Sequence, residues 1–117
     1  MTFVRSCFAF LSAAVLSAAA HAAPPQAEIS HLLDYLAKSG CEFNRNGSWY
    51  AGPTARAHLQ DKADYLAKRH QLPSAEAFIK LAATESSVSG KAYQVRCGAA
   101  APVPSATWLG EELKRYR

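Results

Sequence analysis

The chain has 117 residues, of which 50% are hydrophobic and 19% are charged, and its formal net charge is +4 at pH 7. This length limits the protein to one small domain, and the composition excludes collagen-like, coiled-coil and wholly disordered proteins. The cations lie singly or in pairs beside acids and do not form one basic stripe, so we expect no nucleic-acid partner.

Residues 1–22 have the three parts of a secretory signal peptide. Arg5 supplies the positive charge, an apolar run follows it, and Ala20-His21-Ala22 provides the small alanines that signal peptidase prefers. We predict cleavage after Ala22, because a cut one residue later would place Pro24 directly after the scissile bond. The apolar run is shorter than the roughly 20 residues that span a bilayer. We therefore expect a periplasmic or secreted protein that meets the membrane only through this segment, before cleavage.

The predicted cleavage changes the number of cysteines from three to two. It removes Cys7 and leaves Cys41 and Cys97, and an even pair in an exported protein predicts a disulfide. This bond would close a loop that runs from residue 41 to residue 97 and would stabilise the fold by about 4 kcal/mol. Two free buried thiols are an alternative, and so is a metal site, although neither cysteine has a neighbouring ligand at zinc-site spacing.

Residues 23–117 are predicted to form one small globular domain. Apolar residues recur at helical spacing from Ala27, which predicts a first helix that Gly40 ends in the left-handed conformation. The inward positions of this helix are Ile29, Leu32, Leu33 and Leu36. Residues 41–50 then alternate apolar and polar side chains around Asn46-Gly47, a strong two-residue turn, and this pattern predicts a β-hairpin.

The second half of the chain predicts three helices and one strand. A proline in the first turn and serines as N-terminal caps mark the helix starts. The predicted elements are a helix from Gly52-Pro53 to about Arg69, a helix capped by Ser74, a strand from Ala92 to Cys97, a flexible Ala/Pro connection over residues 98–104 and a helix capped by Ser105. The apolar face of the helix after Ser74 is expected to comprise Ala77, Phe78, Leu81 and Ala82.

The predicted order is therefore α-β-β-α-α-β-α. It indicates an α+β fold in which four helices pack on a short three-stranded antiparallel sheet. Cys41 begins the first predicted strand and Cys97 ends the last, so we expect these two strands to be antiparallel neighbours with the disulfide between them.

No sequence motif assigns a catalytic residue, a metal or a cofactor. The three histidines after the leader lack the spacing of zinc ligands. The serines of residues 86–90 lack the Gly-x-Ser-x-Gly elbow of a nucleophile, and turn serines that bond their own backbone explain them. The acids that could form the paired carboxylates of a glycosidase are expected to lie on solvated faces instead; they are Glu42, Glu85, Glu111 and Glu112.

Four short motifs follow one another along the chain: Phe43-x-Arg45-Asn46-Gly47, Ala57-His58-Leu59-x-x-Lys62, Ala75-Glu76-x-Phe78-Ile79 and Ser86-Ser87-x-Ser89-Gly90-Lys91-x-Tyr93-x-Val95. In this order and at these spacings, the motifs resemble those of the YfeK-like family of small exported bacterial proteins of unknown function. The resemblance covers Ile29 to about Arg96 and departs at Ala51-Gly52-Pro53, where a Ser or Thr cap is expected. It implies a bacterial envelope location and the same order of elements, and it implies no activity.

Turn geometry and apolar burial explain most of these motif residues. They leave Arg45, His58, Lys62 and Lys91, which are our candidate ligand-binding residues. Such donors suit an acidic ligand. We therefore expect a non-enzymatic envelope module that binds a protein or a small acidic ligand. The alternatives are a small periplasmic hydrolase acting on cell-wall or peptide material, in which His58 would meet an acid, and a structural or stress-related envelope factor.

Overall fold

The computed structural model describes residues 23–117, so the predicted signal peptide and its cleavage site lie outside the described residues. These residues form an α+β fold of four helices and a four-stranded antiparallel sheet, as the predicted fold class requires. The elements are α1 (Pro25–Lys38), β1 (Glu42–Arg45), β2 (Ser48–Ala51), α2 (Gly52–Lys68), α3 (Ala75–Ala82), β3 (Gln94–Arg96), β4 (Val103–Pro104) and α4 (Ser105–Tyr116). Within residues 23–117, no helix has both the length and the apolar character needed to cross a membrane.

The sheet has the strand order β2-β1-β3-β4, and each neighbouring pair is antiparallel. The hairpin between β1 and β2 turns at Asn46 and Gly47, whose φ angles of 52° and 86° are the left-handed values of the predicted two-residue turn. Cys41 and Cys97 form a disulfide beside the β1–β3 pair, with their Cα atoms 4.4 Å apart. The predicted pairing of the two cysteine-flanked strands is therefore confirmed.

The prediction of three strands is wrong, because Val103–Pro104 form a fourth strand. Val103 pairs with Val95, and Pro104 pairs with Gln94, within the segment that was expected to be a flexible connection. A proline lacks an N–H donor, so it is tolerated on an outer strand where only one side needs a hydrogen-bonding partner. A strand of two residues is too short to show an alternating pattern, which is why the sequence did not reveal it.

The helix caps agree with the prediction at one serine and differ at the other. The Ser74 hydroxyl accepts a hydrogen bond from the Ala77 backbone N–H at 3.0 Å, so it caps α3 as expected. Ser105 does not cap α4, since Pro104 occupies the cap position. Ser105 is instead fully buried, and its backbone N–H donates to the Tyr93 carbonyl at 3.0 Å. This bond fixes the start of α4 to the residue before β3.

Helix α2 begins against the end of α1 without a side-chain cap. A Cβ atom at Gly52 would lie 2.5 Å from the Leu36 carbonyl oxygen, so only glycine permits this close approach. The approach explains the glycine at the first position of α2, and the cap position before it is Ala51 rather than the expected Ser or Thr. From there, α2 packs Leu59 beside the buried leucines of α1 and Phe43 of β1 in the hydrophobic core.

The core face of α3 differs from the prediction at three residues. Phe78 and Ala82 are buried as predicted, and Ala75 is also buried, although the predicted face does not include it. Ala77 is only half-buried, and Leu81 is 45% exposed. The buried stripe therefore runs through Ala75, Phe78 and Ala82, and Leu81 is left facing solvent.

Candidate functional site

Three of the four candidate residues lie in one hydrogen-bonded group. The Arg45 Nη1 atom lies 3.0 Å from Nδ1 of His58, and the His58 Nε2 atom lies 3.2 Å from the Tyr93 hydroxyl oxygen. The Lys62 Nζ atom lies 3.2 Å from the same hydroxyl oxygen. We call Arg45, His58, Lys62 and Tyr93 the cationic cluster.

The sheet and α2 place these side chains together for simple geometric reasons. Arg45 is two residues from the buried Phe43 on β1, so both side chains lie on the face that the helices cover. The β1–β3 register pairs Phe43 with Val95 and Asn44 with Gln94, which places Tyr93 opposite Arg45 when it is continued by one residue. His58 and Lys62 are four residues apart on α2, so they lie on one face of that helix.

The hydrogen bonds determine where the protons of the cluster lie. A guanidinium can only donate, so Nδ1 of His58 accepts from Arg45, and the neutral ring carries its proton on Nε2. Nε2 therefore donates to the Tyr93 oxygen, and Lys62 donates to the same atom and to the Glu85 carbonyl oxygen at 3.2 Å. Within residues 23–117, the structure shows no acceptor for the Tyr93 hydroxyl proton.

The local environment keeps the imidazole and the phenol of the cluster neutral. Burial lowers the pKa of His58, and the charges of Arg45 and Lys62 lower it further. Burial raises the pKa of the Tyr93 hydroxyl. The pKa of Lys62 is lowered, first by burial and then by the charge of Arg45, with Glu85 acting in the opposite direction. The positive charge of the cluster therefore resides on Arg45 and Lys62.

Neither of these two cations has an acidic partner in the part of the chain that the structure describes, where no carboxylate oxygen lies within 4.0 Å of either. Four other arginines each form an ion pair with a carboxylate: Arg56, Arg96, Arg115 and Arg117. Lys62 uses two of its three N–H donors within the protein, and Arg45 uses one of its five. The cluster therefore retains both charge and hydrogen-bond donors for another molecule.

A groove of about 420 Å³ opens beside the cluster along α2. His58 and Lys62 both line the groove, and Arg45 contacts His58 without lining the groove itself. The residues that line the groove are His58, Asp61, Lys62, Tyr65, Leu66, Leu81 and Ser87. His58 and Lys62 of the cationic cluster are thus accessible from this groove, whereas Tyr93 is buried.

The fourth candidate, Lys91, does not join the cluster. Its side chain is exposed and makes no hydrogen bond or ion pair with any residue from 23 to 117, and only its backbone is held by the turn before it. The buried Ser86 hydroxyl accepts from the backbone N–H groups of Val88 and Ser89, as expected for a turn serine. A binding role for Lys91 remains a prediction.

Tyr93 is the member of the cluster that sequence reasoning missed. Tyr93 is 1% exposed, and its ring packs against Phe43 with the ring centroids 5.0 Å apart, so burial of the ring explains the residue without a binding role. The sequence did contain a signal for such a role, because the alternating pattern of the two strands places Tyr93 and Arg45 on the same face of the sheet.

Among residues 23–117, the histidines do not form a metal centre. His31 stacks on Tyr116 with the ring centroids 3.9 Å apart, whereas His58 belongs to the cationic cluster. Across the described part of the chain, no group of three or more His, Cys, Asp or Glu side chains is arranged to hold a metal ion.

The model of DUF5329, a family of unknown function, matches residues 23–117. Comparisons with curated proteins and with solved structures found no match. The family match agrees with a protein of uncharacterised function, and the narrower YfeK-like resemblance remains a prediction. Because the match covers all the described residues, the chain belongs to the DUF5329 family.

Proposed function

We propose that this protein is an exported bacterial envelope module that binds an anionic group at the cationic cluster and catalyses no reaction. One observation carries the proposal. Arg45 and Lys62 are joined through His58 and Tyr93 into one hydrogen-bonded group, without a carboxylate partner among residues 23–117, and His58 and Lys62 line an open groove.

The electrostatics support an anion as the missing partner. Burial and the neighbouring Arg45 charge both disfavour the charged form of Lys62, so the empty site is electrostatically unfavourable. A carboxylate or phosphate oxygen near Nζ would offset that repulsion and accept the unused N–H donor. The Tyr93 hydroxyl and the Glu85 carbonyl hold the Lys62 side chain in place before the ligand arrives, which lowers the entropy lost on binding.

Three observations support export. Residues 1–22 have the composition of a signal peptide, and the family match begins at Ala23, the predicted first residue after cleavage. Disulfides persist in oxidising compartments, and Cys41–Cys97 is such a bond. Intact-mass analysis of periplasmic protein is expected to give a chain that begins at Ala23. Recovery of the full chain, with Met1, from the membrane fraction would refute this part of the proposal.

The hydrolase alternative required His58 to meet an acid. In the described part of the chain, both ring nitrogens of His58 are instead engaged by Arg45 and Tyr93, and Ser86 is used by its own turn. Both groups therefore have local hydrogen-bonding roles, and the proposal assigns no catalytic residue.

Titration of the mature protein with acetate and with inorganic phosphate, followed by two-dimensional NMR of the backbone amides, tests the binding proposal. We expect saturable shifts at residues of the cationic cluster. Lys62→Gln is expected to abolish them, whereas Lys68→Gln, which removes the same charge from an exposed position of α2, is expected to retain them. Shifts that do not saturate, or that are equal in wild type and Lys62→Gln, would overturn the proposal.

A further inference from the structure

The groove beside the cationic cluster follows one face of α2. His58, Asp61, Lys62, Tyr65 and Leu66 recur at the i, i+3, i+4, i+7 and i+8 spacing of a single helix face. At 1.5 Å per residue, they extend over about 12 Å. Leu81 of α3 and Ser87 of the following turn complete the lining. The groove is therefore long enough for more than an isolated anion.

The groove lining has a polar part and an apolar part. Along α2, His58, Asp61 and Lys62 come first, and Lys62 brings a cation that has no acidic partner among residues 23–117. Tyr65 and Leu66 follow on the same helix, and Leu81 of α3 adds to the apolar lining. Leu81 is 45% exposed and Tyr65 is 56% exposed, so apolar surface remains uncovered in the same groove as the cation. A ligand that fits both parts carries a carboxylate close to an apolar group.

Asp61 and Ser87 indicate that the ligand also carries a hydrogen-bonding group beside its carboxylate. Both line the groove, and Asp61 makes no ion pair within residues 23–117. A carboxylate side chain accepts N–H donors, and a hydroxyl can donate or accept. A simple alkyl carboxylate offers these groups nothing, whereas the last residue of a peptide offers a backbone N–H beside its carboxylate.

We propose that the groove binds the carboxy-terminal residue of a peptide or protein, with its free carboxylate at Lys62 and an apolar side chain against Leu66 and Leu81. The backbone N–H of that residue donates to Asp61. This proposal rests on the proposed anion-binding function and names the class of ligand for the same site.

Four probes separate this ligand from simpler ones: the peptide acetyl-Ala-Ala-Leu as the free acid, its carboxy-terminal amide, acetyl-Ala-Ala-Gly as the free acid, and octanoate. Binding to the mature, oxidised protein is measured by isothermal titration calorimetry. We expect the leucine peptide acid to bind at least about tenfold more tightly than each of the other three, because each lacks one of the matched groups.

Two variants locate the apolar contact. Leu81→Ser is expected to weaken binding of the leucine peptide about tenfold and to leave binding of the glycine peptide unchanged. The matched control is Val88→Ser, since Val88 is 95% exposed and does not line the groove. Its affinity for both peptides is expected to equal that of wild type. Thermal unfolding of both variants verifies that they fold.

The outcomes also separate this proposal from the one on which it rests. Equal affinities for the leucine and glycine peptides, or for the acid and the amide, would overturn the peptide proposal. Octanoate binding as tightly as the leucine peptide would overturn it in favour of an acyl chain. In each of these cases, acetate shifts at the cationic cluster would leave the anion-binding function standing. If neither acetate nor any probe binds, both proposals fail.

Discussion

Two groups of charged side chains in this protein are built in opposite ways. Near the end of α4, Arg117 lies 2.7 Å and 3.0 Å from the two carboxylate oxygens of Glu28 and also contacts Glu76. Glu28 is only 3% exposed, and its hydrogen bonds with Arg117 lower its pKa. In the cationic cluster, Arg45 and Lys62 have no acid in hydrogen-bond range among the described residues. The fold thus balances charge at one place and leaves it unbalanced at the other.

This difference separates a structural role from a binding role. A buried carboxylate needs a cation, so Arg117 is explained by the requirements of the folded state. The two cations of the cationic cluster lie beside a neutral histidine and tyrosine, and their mutual repulsion opposes folding. We therefore assign a stabilising role to the ion pairs of Arg117 with Glu28 and Glu76, and a binding role to the cationic cluster. Binding sites in proteins commonly lower the stability of the fold that carries them.

The largest expected effect concerns the scaffold that holds the cluster. The Cys41–Cys97 disulfide lies beside the pairing of β1 and β3, and Arg45 and Tyr93 lie at the far end of that pairing. We expect its reduction to lower the free energy of unfolding by about 4 kcal/mol, as the closed loop is long. Urea unfolding of oxidised and reduced protein measures this difference. Two free thiols in oxidised, denatured protein would contradict the prediction.

The next expected effect concerns the ion pairs of Arg117 with Glu28 and Glu76. Arg117→Gln is expected to lower the melting temperature, because it leaves the Glu28 carboxylate buried without its cation. Lys114→Gln, which removes a charge from an exposed side chain on the same helix, is expected to change it little. Equal melting temperatures for the two variants would show that the ion pair does not stabilise the fold.

The pH dependence of this effect follows from the lowered pKa values of Glu28 and Glu76. A carboxyl group whose pKa is lower in the folded state contributes stability above its ordinary pKa of 4.5. That contribution is lost as the pH falls through the folded pKa. We therefore expect the melting temperatures of wild type and Arg117→Gln to converge in acid. A constant difference from pH 7 to pH 2 would contradict the assigned cause.

In the cationic cluster, we expect removal of a charge to have a smaller effect on stability, and of the opposite sign. Lys62→Gln is expected to leave the free energy of unfolding unchanged or to raise it by up to about 0.5 kcal/mol, because it removes repulsion that solvent partly screens. Chemical unfolding of this variant and of Lys68→Gln measures the difference. A decrease of about 1 kcal/mol or more in the free energy of unfolding would mean that Lys62 is a structural hydrogen-bond donor to Glu85 and Tyr93. The cationic cluster would then have a stabilising role, as the ion pairs of Arg117 have.

The smallest effect concerns His58. Its folded pKa is lowered, so protonation is easier in the unfolded state, and the protein is expected to lose stability as the pH falls below the ordinary value of 6.5. His58→Asn is expected to remove this part of the pH dependence. Nitrogen NMR of the ring at pH 7 is expected to show the proton on Nε2. A proton on Nδ1 would contradict the hydrogen bond from Arg45.

Local patterns explain how much of the fold was predictable. Gly40 and Asn46-Gly47 adopt the left-handed conformations that their sequence context indicated, and the buried leucines of α1 follow the helical period. The fourth strand was missed because pairing with β3, rather than any pattern of its own, makes Val103–Pro104 a strand.

The candidate site was only partly predictable, for a related reason. Arg45, His58 and Lys62 were identifiable as side chains that neither turns nor burial required. Tyr93 was not, since one residue supplies both a buried ring and the hydroxyl that joins His58 to Lys62. Whether a turn brings its side chains to a distant helix depends on tertiary packing, so sequence alone could not separate Lys91 from the other three.

The central claim is that Lys62 belongs to an unbalanced cationic site that an anion completes. Carbon NMR of the Lys62 Cε atom across a pH titration measures its pKa directly, in free protein and with saturating acetyl-Ala-Ala-Leu or acetate. We predict a pKa below the ordinary 10.5 in the free protein and an increase when either carboxylate binds. An ordinary pKa in the free protein that neither carboxylate changes would contradict the claim.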